Sequence, residues 1–462
     1  MKRKITLISV LAIAGAFFLA SAGEESADLN NIRVYDHVVF YDGYLMDNNP
    51  DKDLQDGILR HSCSLYSKKL DDEVLDRLGG RLDMNVFVTA ACDNYDRIGN
   101  INLAFVPKGS ESYRTDEVDR IEIGRFITPF MDKNKEPSTV PYNYDIDYLS
   151  LILRDKELRS KYDIWLEFEI FGIPYAANEQ IDGCDCRSDV FQGTFEFATD
   201  APAAPSEGNI LVPIVIKKPE YIGSNLNNYT EAGTDTIGKT TKTYLFTVPE
   251  DVTDAQLVLI TSNHGANNNG EEYNRRQHFV YYDDELVLSY KPGRPTCEPF
   301  RKYNTQPNGI YSASERSEVV WQSFSNWCPG DVIDNRIIKL GAVQKGEHKV
   351  RITVPMARFP EKQGDIPVSL YFHGVKDGVI GEASIDRITV KEPVSQVSIA
   401  GGVINVSSPE EIIGIEIYSF QGEKIYSQPN DNPISASGLR KGMYLINIEL
   451  DSGVIETQKI II

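Results

Sequence analysis

The segments "LDMNVFVTAA", "RIEIGRFITPF", "DIWLEFEIFGI", "NILVPIVIKK", "AQLVLITSNH", "HFVYYDDELVLSY" and "IPVSLYFHGV" set the tightest limit on what this chain can become. Each is short, rich in β-branched and aromatic residues, and bounded by turn formers, which is strand chemistry. Helical spacing is confined to "DDEVLDRLGG" and "DIDYLSLILRDKELRSKY", with room for a turn or two. The pattern predicts an all-β protein. A chain of 462 residues is too long for one core, so two or three domains are expected.

Composition shifts place the boundaries. "ATDAPAAPSEGN", residues 198–209, is linker-like between two strand-dense halves, residues 30–203 and 207–393. Each half is long enough for an eight-stranded jelly roll. Residues 394–462 alternate apolar and polar positions between Gln-Gly, Pro-Asn-Asp and Ser-Gly turns, as a small β-sandwich would. The expected fold is therefore two adjacent eight-stranded antiparallel jelly-roll sandwiches plus a small C-terminal β-sandwich module. Residues 1–22 read as a secretory signal peptide: Lys2, Arg3 and Lys4, an apolar run, then Ala20-Ser21-Ala22. No cysteine stands at the end of that run to take a lipid anchor, and no later stretch is apolar for long enough to span a bilayer, so a secreted or cell-surface protein is expected.

Lys and Arg number 47 against 68 Asp and Glu, and the net charge of −21 argues against a nucleic-acid partner or an anionic membrane. In an exported chain the six cysteines favour disulfides over zinc, because "CDC" has one spacer and no paired C-x-x-C follows it. Spacing alone leaves the pairing open. His37, His61, His264, His278, His348 and His373 are scattered, which weakens a copper site built with Met356. Nucleophile-elbow, Walker and dinucleotide motifs are absent. No cofactor or metal is expected, and a monomer is.

Two polar stretches remain. In "CDNYDR", residues 92–97, Asp96 stands between Tyr95 and Arg97 just before a strand; alone, that is ordinary turn chemistry. "SNHGANNNGEEYNRRQH", residues 262–278, loads His264 and two adjacent acids ahead of a hairpin.

Together with "GRFITPF", "YDIWLEFEI" and "NWCPG", these stretches resemble, in order, the peptide-N-glycosidase F family, secreted bacterial amidases that remove N-linked glycans. The resemblance runs over residues 32–392 and implies paired jelly rolls with the active site in the cleft between them. It points to Asp96 as principal catalytic acid, with Glu272 and Asp163 in support. Arg97, Tyr95, Tyr273, Trp165, Trp327 and His264 are the implied substrate-side residues. Glu272 is preferred to Glu271 because strand neighbours face opposite ways and because Tyr273, Arg276 and His278 anchor the comparison. The family has a glutamate where Asp163 stands. Cys297 and Cys328 match the family's disulfide; by the same comparison Cys92 would pair with Cys63, leaving Cys184 with Cys186.

"LRKGMYLINIELDSG" and the strand after it resemble the sorting domains of the bacterial type IX secretion route. The implied activity is peptide-N4-(N-acetyl-β-glucosaminyl)asparagine amidase, acting on N-linked glycoproteins or glycopeptides. The alternatives are a glycan binder without turnover and a copper-dependent peptide monooxygenase of the same paired architecture.

Overall fold

A computed structural model of the chain describes residues 29–45, 54–216, 225–227, 236–265, 271–323, 326–359, 364–376, 395–419, 424–428, 432–451 and 455–462. The signal-peptide segment and the boundary at 394 lie outside them.

Strand pairs are antiparallel throughout, and the first half builds two facing sheets. One carries, in spatial order, Asn30–Tyr41, Asp189–Thr199, Leu82–Ala90 and Thr139–Asp145. The other runs Val332–Ile333, Asp119–Ile127, Ile98–Pro107, Tyr162–Ile170, Leu65–Lys69 and Ile58–Arg60. Leu82, Met84, Val86, Val88 and Ala90 are buried at every second position, the period that puts one face of a strand on the core. They meet Leu103, Leu166, Phe168 and Phe195. The two helical stretches become Asp72–Asp76, Asp147–Leu153 and Lys156–Lys161, and the second of these packs one side into the same core.

Residues 209–376 form a second sandwich. Asn209–Val215, Val368–Lys376, Val252–Thr261 and Arg336–Val343 face Thr241–Val248, Gly346–Thr353, His278–Tyr282 and Glu285–Tyr290. The last two are a hairpin whose Asp283 and Asp284 both take positive φ, as a tight two-residue turn demands. Beyond residue 394, two further small sheets enclose Ile404, Ile417, Ile446 and Ile448. Tyr418 and Leu445 of that module pack on Phe279 and Tyr281 of the second sandwich, with Phe279 and Tyr418 rings 5.1 Å apart.

The halves are tightly joined. Arg125, in "GRFITPF", is fully buried: Nε and Nη2 bind Glu122 at 2.8 and 2.7 Å, and Nη1 donates to Ser262 Oγ and the Pro367 carbonyl, both at 2.9 Å. Ser369 donates to Glu122 from the second half. A buried guanidinium is tolerated only when its donors are met, and here acceptors from both halves meet them. Val258 and Tyr371 extend the first core across the junction. The segment of linker composition is tethered too, since Asn209 Nδ2 donates to the buried Asp155 at 2.7 Å.

Candidate active site

The loop 92–97 leaves one sheet of the first half and enters the other. Its organiser is Asp93, which the sequence reading passed over. Asp93 is fully buried and accepts from Arg97 Nε at 2.7 Å, Ile173 N at 2.7 Å and Tyr95 N at 2.9 Å. Burial pushes its carboxyl up, against the pull of Arg97. Arg97 N donates to Thr128 Oγ1 at 2.7 Å, fixing the loop to the end of "GRFIT". The i, i+4 spacing of an acid and an arginine within "CDNYDR" was the signal available for Asp93.

Cys92 anchors the same loop by a disulfide to Cys184, with Cα atoms 5.5 Å apart in an apolar nest with Ala177 and Ile181. The expected pairs Cys63–Cys92 and Cys184–Cys186 do not form: Cys63 is a buried thiol and Cys186 an exposed one. The strand-to-loop path through 172–184 brings a residue 92 positions away against Cys92, which no spacing rule reveals. Cys297 and Cys328 are joined as the resemblance implied.

From the second half comes Glu272. The stretch 271–273 is a short 3₁₀ turn, not the extended strand assumed in choosing between the two acids. Successive side chains still diverge, by about 120° in a three-residue turn. Glu271 turns inward, fully buried, to Arg276 Nε and Nη2 at 2.9 and 3.0 Å and to Arg358 N at 2.8 Å. Glu272 turns outward, and its Oε2 accepts from Gly265 N at 2.9 Å. The "NWCPG" motif braces this loop: Asn326 Nδ2 donates to the Glu272 carbonyl at 2.6 Å, and Trp327 Nε1 to the Asn263 carbonyl at 2.9 Å.

The Glu272 charge acts on Asp96 from the other half. Burial, then the Glu272 charge, pushes the Asp96 carboxyl well above the usual range, with Arg97 pulling the other way. Burial likewise raises Glu272, against hydrogen bonds from Gly265 and Tyr273. Tyr273 is raised by burial and then by Glu272 and Asp96, so all three groups share one field. Asp96 Oδ2 is buried and accepts no hydrogen bond from the described residues. Tyr95 stays 40 % exposed, 5.8 Å from Phe130, and Tyr273 packs on the apolar cluster to which Phe130 belongs.

Other expected site residues stand elsewhere. Asp163 pairs with Val106, eight positions along the strand from Ile98, or roughly 25 Å at about 3.3 Å per residue. It accepts from Lys69 Nζ at 2.6 Å, Lys108 Nζ at 3.0 Å and Gly109 N at 2.9 Å. Burial raises its carboxyl, but those bonds outweigh it and hold it below the usual range. Trp165 is buried beside Tyr113 on that same distant stretch. On the same face of the strand, six residues nearer the loop, Glu169 pairs with Asn100. Trp327 is buried, stacked on His264 with ring centroids 6.0 Å apart, while His264 Nε2 bonds Ser262 Oγ at 2.7 Å. Both therefore shape the loop from behind.

The histidines do not gather. His37 binds Asp36, His61 Ser67, His278 the Arg276 carbonyl, His348 Asp283 and His373 Asn209. Burial pushes His278 down to about 3 and His373 to about 4. Among the described residues, no three His, Cys, Asp or Glu side chains cluster as a metal site would require.

Sequence profiles described as "Peptide-N-glycosidase F, N terminal" and "Peptide-N-glycosidase F, C terminal" match residues 31–187 and 233–373. The chain belongs to the peptide-N-glycosidase F family. In this family member the two matched segments are the two sandwiches that supply Asp96 and Glu272. Residues 400–462 match "Secretion system C-terminal sorting domain", which marks the chain for export by the type IX route. No curated protein matches the chain. Among solved structures, PNGF-II in its P21 crystal form is 19% identical with a TM-score of 0.53, over 75% of this chain and 66% of that one. Its C2 form is 18% identical with a TM-score of 0.53, over 77% and 66%. PNGase F, a glycosylasparaginase from Flavobacterium meningosepticum, is 14% identical with a TM-score of 0.46, over 75% and 96%. At such identities the PNGF-II likeness speaks for the fold, and the match spans just under two thirds of that protein.

Proposed function

We propose that this chain is a secreted amidase that hydrolyses the bond between an asparagine side-chain nitrogen and N-acetylglucosamine in glycoproteins or glycopeptides. The products are aspartate and a glycosylamine, which loses ammonia in solution. The observation that carries this reading is the pairing of Asp96 with Glu272, delivered from different halves and both raised in pKa by burial.

Amide hydrolysis needs an activated water, a stabilised oxyanion and a protonated leaving amine. An Asp96 carboxylate with raised proton affinity is a stronger base than a free one, and its unbonded Oδ2 is where a water proton would be taken. Glu272 and Tyr273 orient that water and the first sugar. Arg97 has Nε and Nη2 turned to Asp93, so it acts mainly as a fixed positive charge beside Asp96. The role of third carboxylate goes to Glu169, on the near end of the strand, in place of Asp163, which is saturated by two lysines. Tyr95, with its exposed ring, offers a sugar-stacking face.

The test is to treat a denatured N-glycoprotein in 18O-labelled water. Release of glycan with one labelled oxygen in a new aspartate supports the reading; cleavage that leaves N-acetylglucosamine on asparagine would replace it with glycosidase chemistry.

A further inference from the structure

We propose that Tyr44 and Tyr175 form a platform that docks the outer part of the substrate glycan, beyond the sugars at the catalytic pair. The proposal rests on the amidase reading and adds a second contact region to it.

Tyr44 is 62 % and Tyr175 60 % exposed, and both stand on loops that hydrogen bonds tie down. Tyr44 meets Phe171 edge to face, with centroids 5.3 Å apart and planes at 81°. Its backbone N–H donates to Asp42 Oδ1 at 3.0 Å, and the Tyr175 hydroxyl lies in the field of the same buried carboxylate. Gly43 N donates to the Gly172 carbonyl at 2.9 Å, tying the two loops together. A Cβ at Gly43 would lie 2.3 Å from the Phe171 ring, so glycine is required for that approach.

Exposed rings that are already ordered have lost the freedom that binding would otherwise cost them. Their place is specific as well. Asp93 Oδ2 accepts from both Ile173 N and Arg97 Nε, so one oxygen links the platform loop to the arginine beside Asp96.

The chemistry favours a sugar chain over a peptide. A pyranose lays its C–H face on an aromatic ring and bonds its hydroxyls to phenol groups, which Tyr44 and Tyr175 supply. A peptide strand would need free backbone donors, and the N–H groups of Gly43 and Tyr44 are already engaged.

The experiment uses the full chain carrying Asp96→Asn, and measures calorimetric binding of a free high-mannose oligosaccharide and of free chitobiose. Adding Tyr44→Ala and Tyr175→Ala should weaken the high-mannose chain at least about tenfold, the scale of losing one or two ring contacts, and leave chitobiose affinity unchanged. Equal affinity for the long chain with and without the tyrosines would overturn the platform, as would a parallel loss for chitobiose. Because both rings are exposed, the melting temperature should not move, and a Gly43→Ala variant, which displaces Phe171, should reproduce the long-chain loss. Failure of the amidase reading shows separately, as no glycan release by the unsubstituted protein, whatever the binding result.

Discussion

Glu271 and Glu272 are adjacent in the chain and opposite in environment: one is fully buried against Arg276 and the Arg358 N–H, the other accepts from the Gly265 N–H and lends its charge to the field on Asp96. Gln substitution should therefore split stability from turnover. Glu271→Gln leaves the partly exposed Arg276 without its charge partner and should cost about 1–3 kcal/mol of stability, the scale of weakened hydrogen bonds to a charged group, read as a lowered melting temperature. Glu272→Gln, which removes a carboxyl that burial raises, should melt no lower than the parent and lose most of its kcat. The opposite assignment of effects would reverse the roles of the two acids.

Asp96 carries a pH prediction. Its folded pKa lies above the unfolded value, so the folded state holds the extra proton in the window between them, and stability falls as pH rises through that window. Asp96→Asn should then melt higher than the parent at neutral pH, with the gap closing below the ordinary carboxylate range, while turnover drops by about two orders of magnitude or more. In Glu272→Gln the acid limb of residual activity should shift to lower pH, because a charge that raises Asp96 has gone. An unmoved limb would mean that the two acids are not coupled.

Asp163→Asn should leave glycan release unchanged and lower the melting temperature, since Lys69 and Lys108 lose their shared partner. Glu169→Gln should do the reverse, depressing kcat at constant melting temperature. Kinetics on the two purified variants distinguish a role at the near end of the strand from one at the far end.

Replacing Cys92 and Cys184 by serine should cost both stability and rate. The bridge closes a loop with a sequence separation of 92, for which the chain-entropy estimate is roughly 4–5 kcal/mol. It also pins the residue preceding Asp93. Chemical denaturation and initial rates, with the Cys297–Cys328 bridge intact, test the two effects together. Unaltered kinetics in the double variant would detach the bridge from the site.

Removing residues 394–462 should stop secretion in a host with the type IX route and leave kcat/KM intact. It should also uncover Phe279, Tyr281 and Leu286, so the truncated protein should bind a hydrophobic dye more strongly. Normal secretion would count against a sorting role.

Much of this architecture was legible because strand periodicity is a local property: Leu82 to Ala90 announce their buried face in the sequence itself. The proposed pair, Asp96 and Glu272, was reached through resemblance, since nothing local to "CDNYDR" or "GEEYNRRQH" links the two segments. What escaped was decided by register and loop path. Asp163 and Glu169 share one face of one strand, and only the pairing with Asn100 or Val106 tells which end approaches the loop. The Cys92–Cys184 bridge and the Asp93 hub depend on where residues 172–184 fold back. Trp327 reads as a sugar-stacking ring by type, yet its N–H is spent on the Asn263 carbonyl.

The two-residue strand Val332–Ile333 pairs with Phe126 and Arg125, closing the edge of a sheet that begins near residue 58. A nascent first half therefore waits for some two hundred more residues before its border at Asp119–Ile127 is sealed, and an open border is a template for stray strand pairing. Chains interrupted inside the second half should accumulate as aggregates instead of as a folded N-terminal fragment. The fragment should be rescued by a co-expressed second half that contains residues 332–333. A border of the first sandwich that is closed by residues 332–333 thus ties the completion of one half to the synthesis of the other.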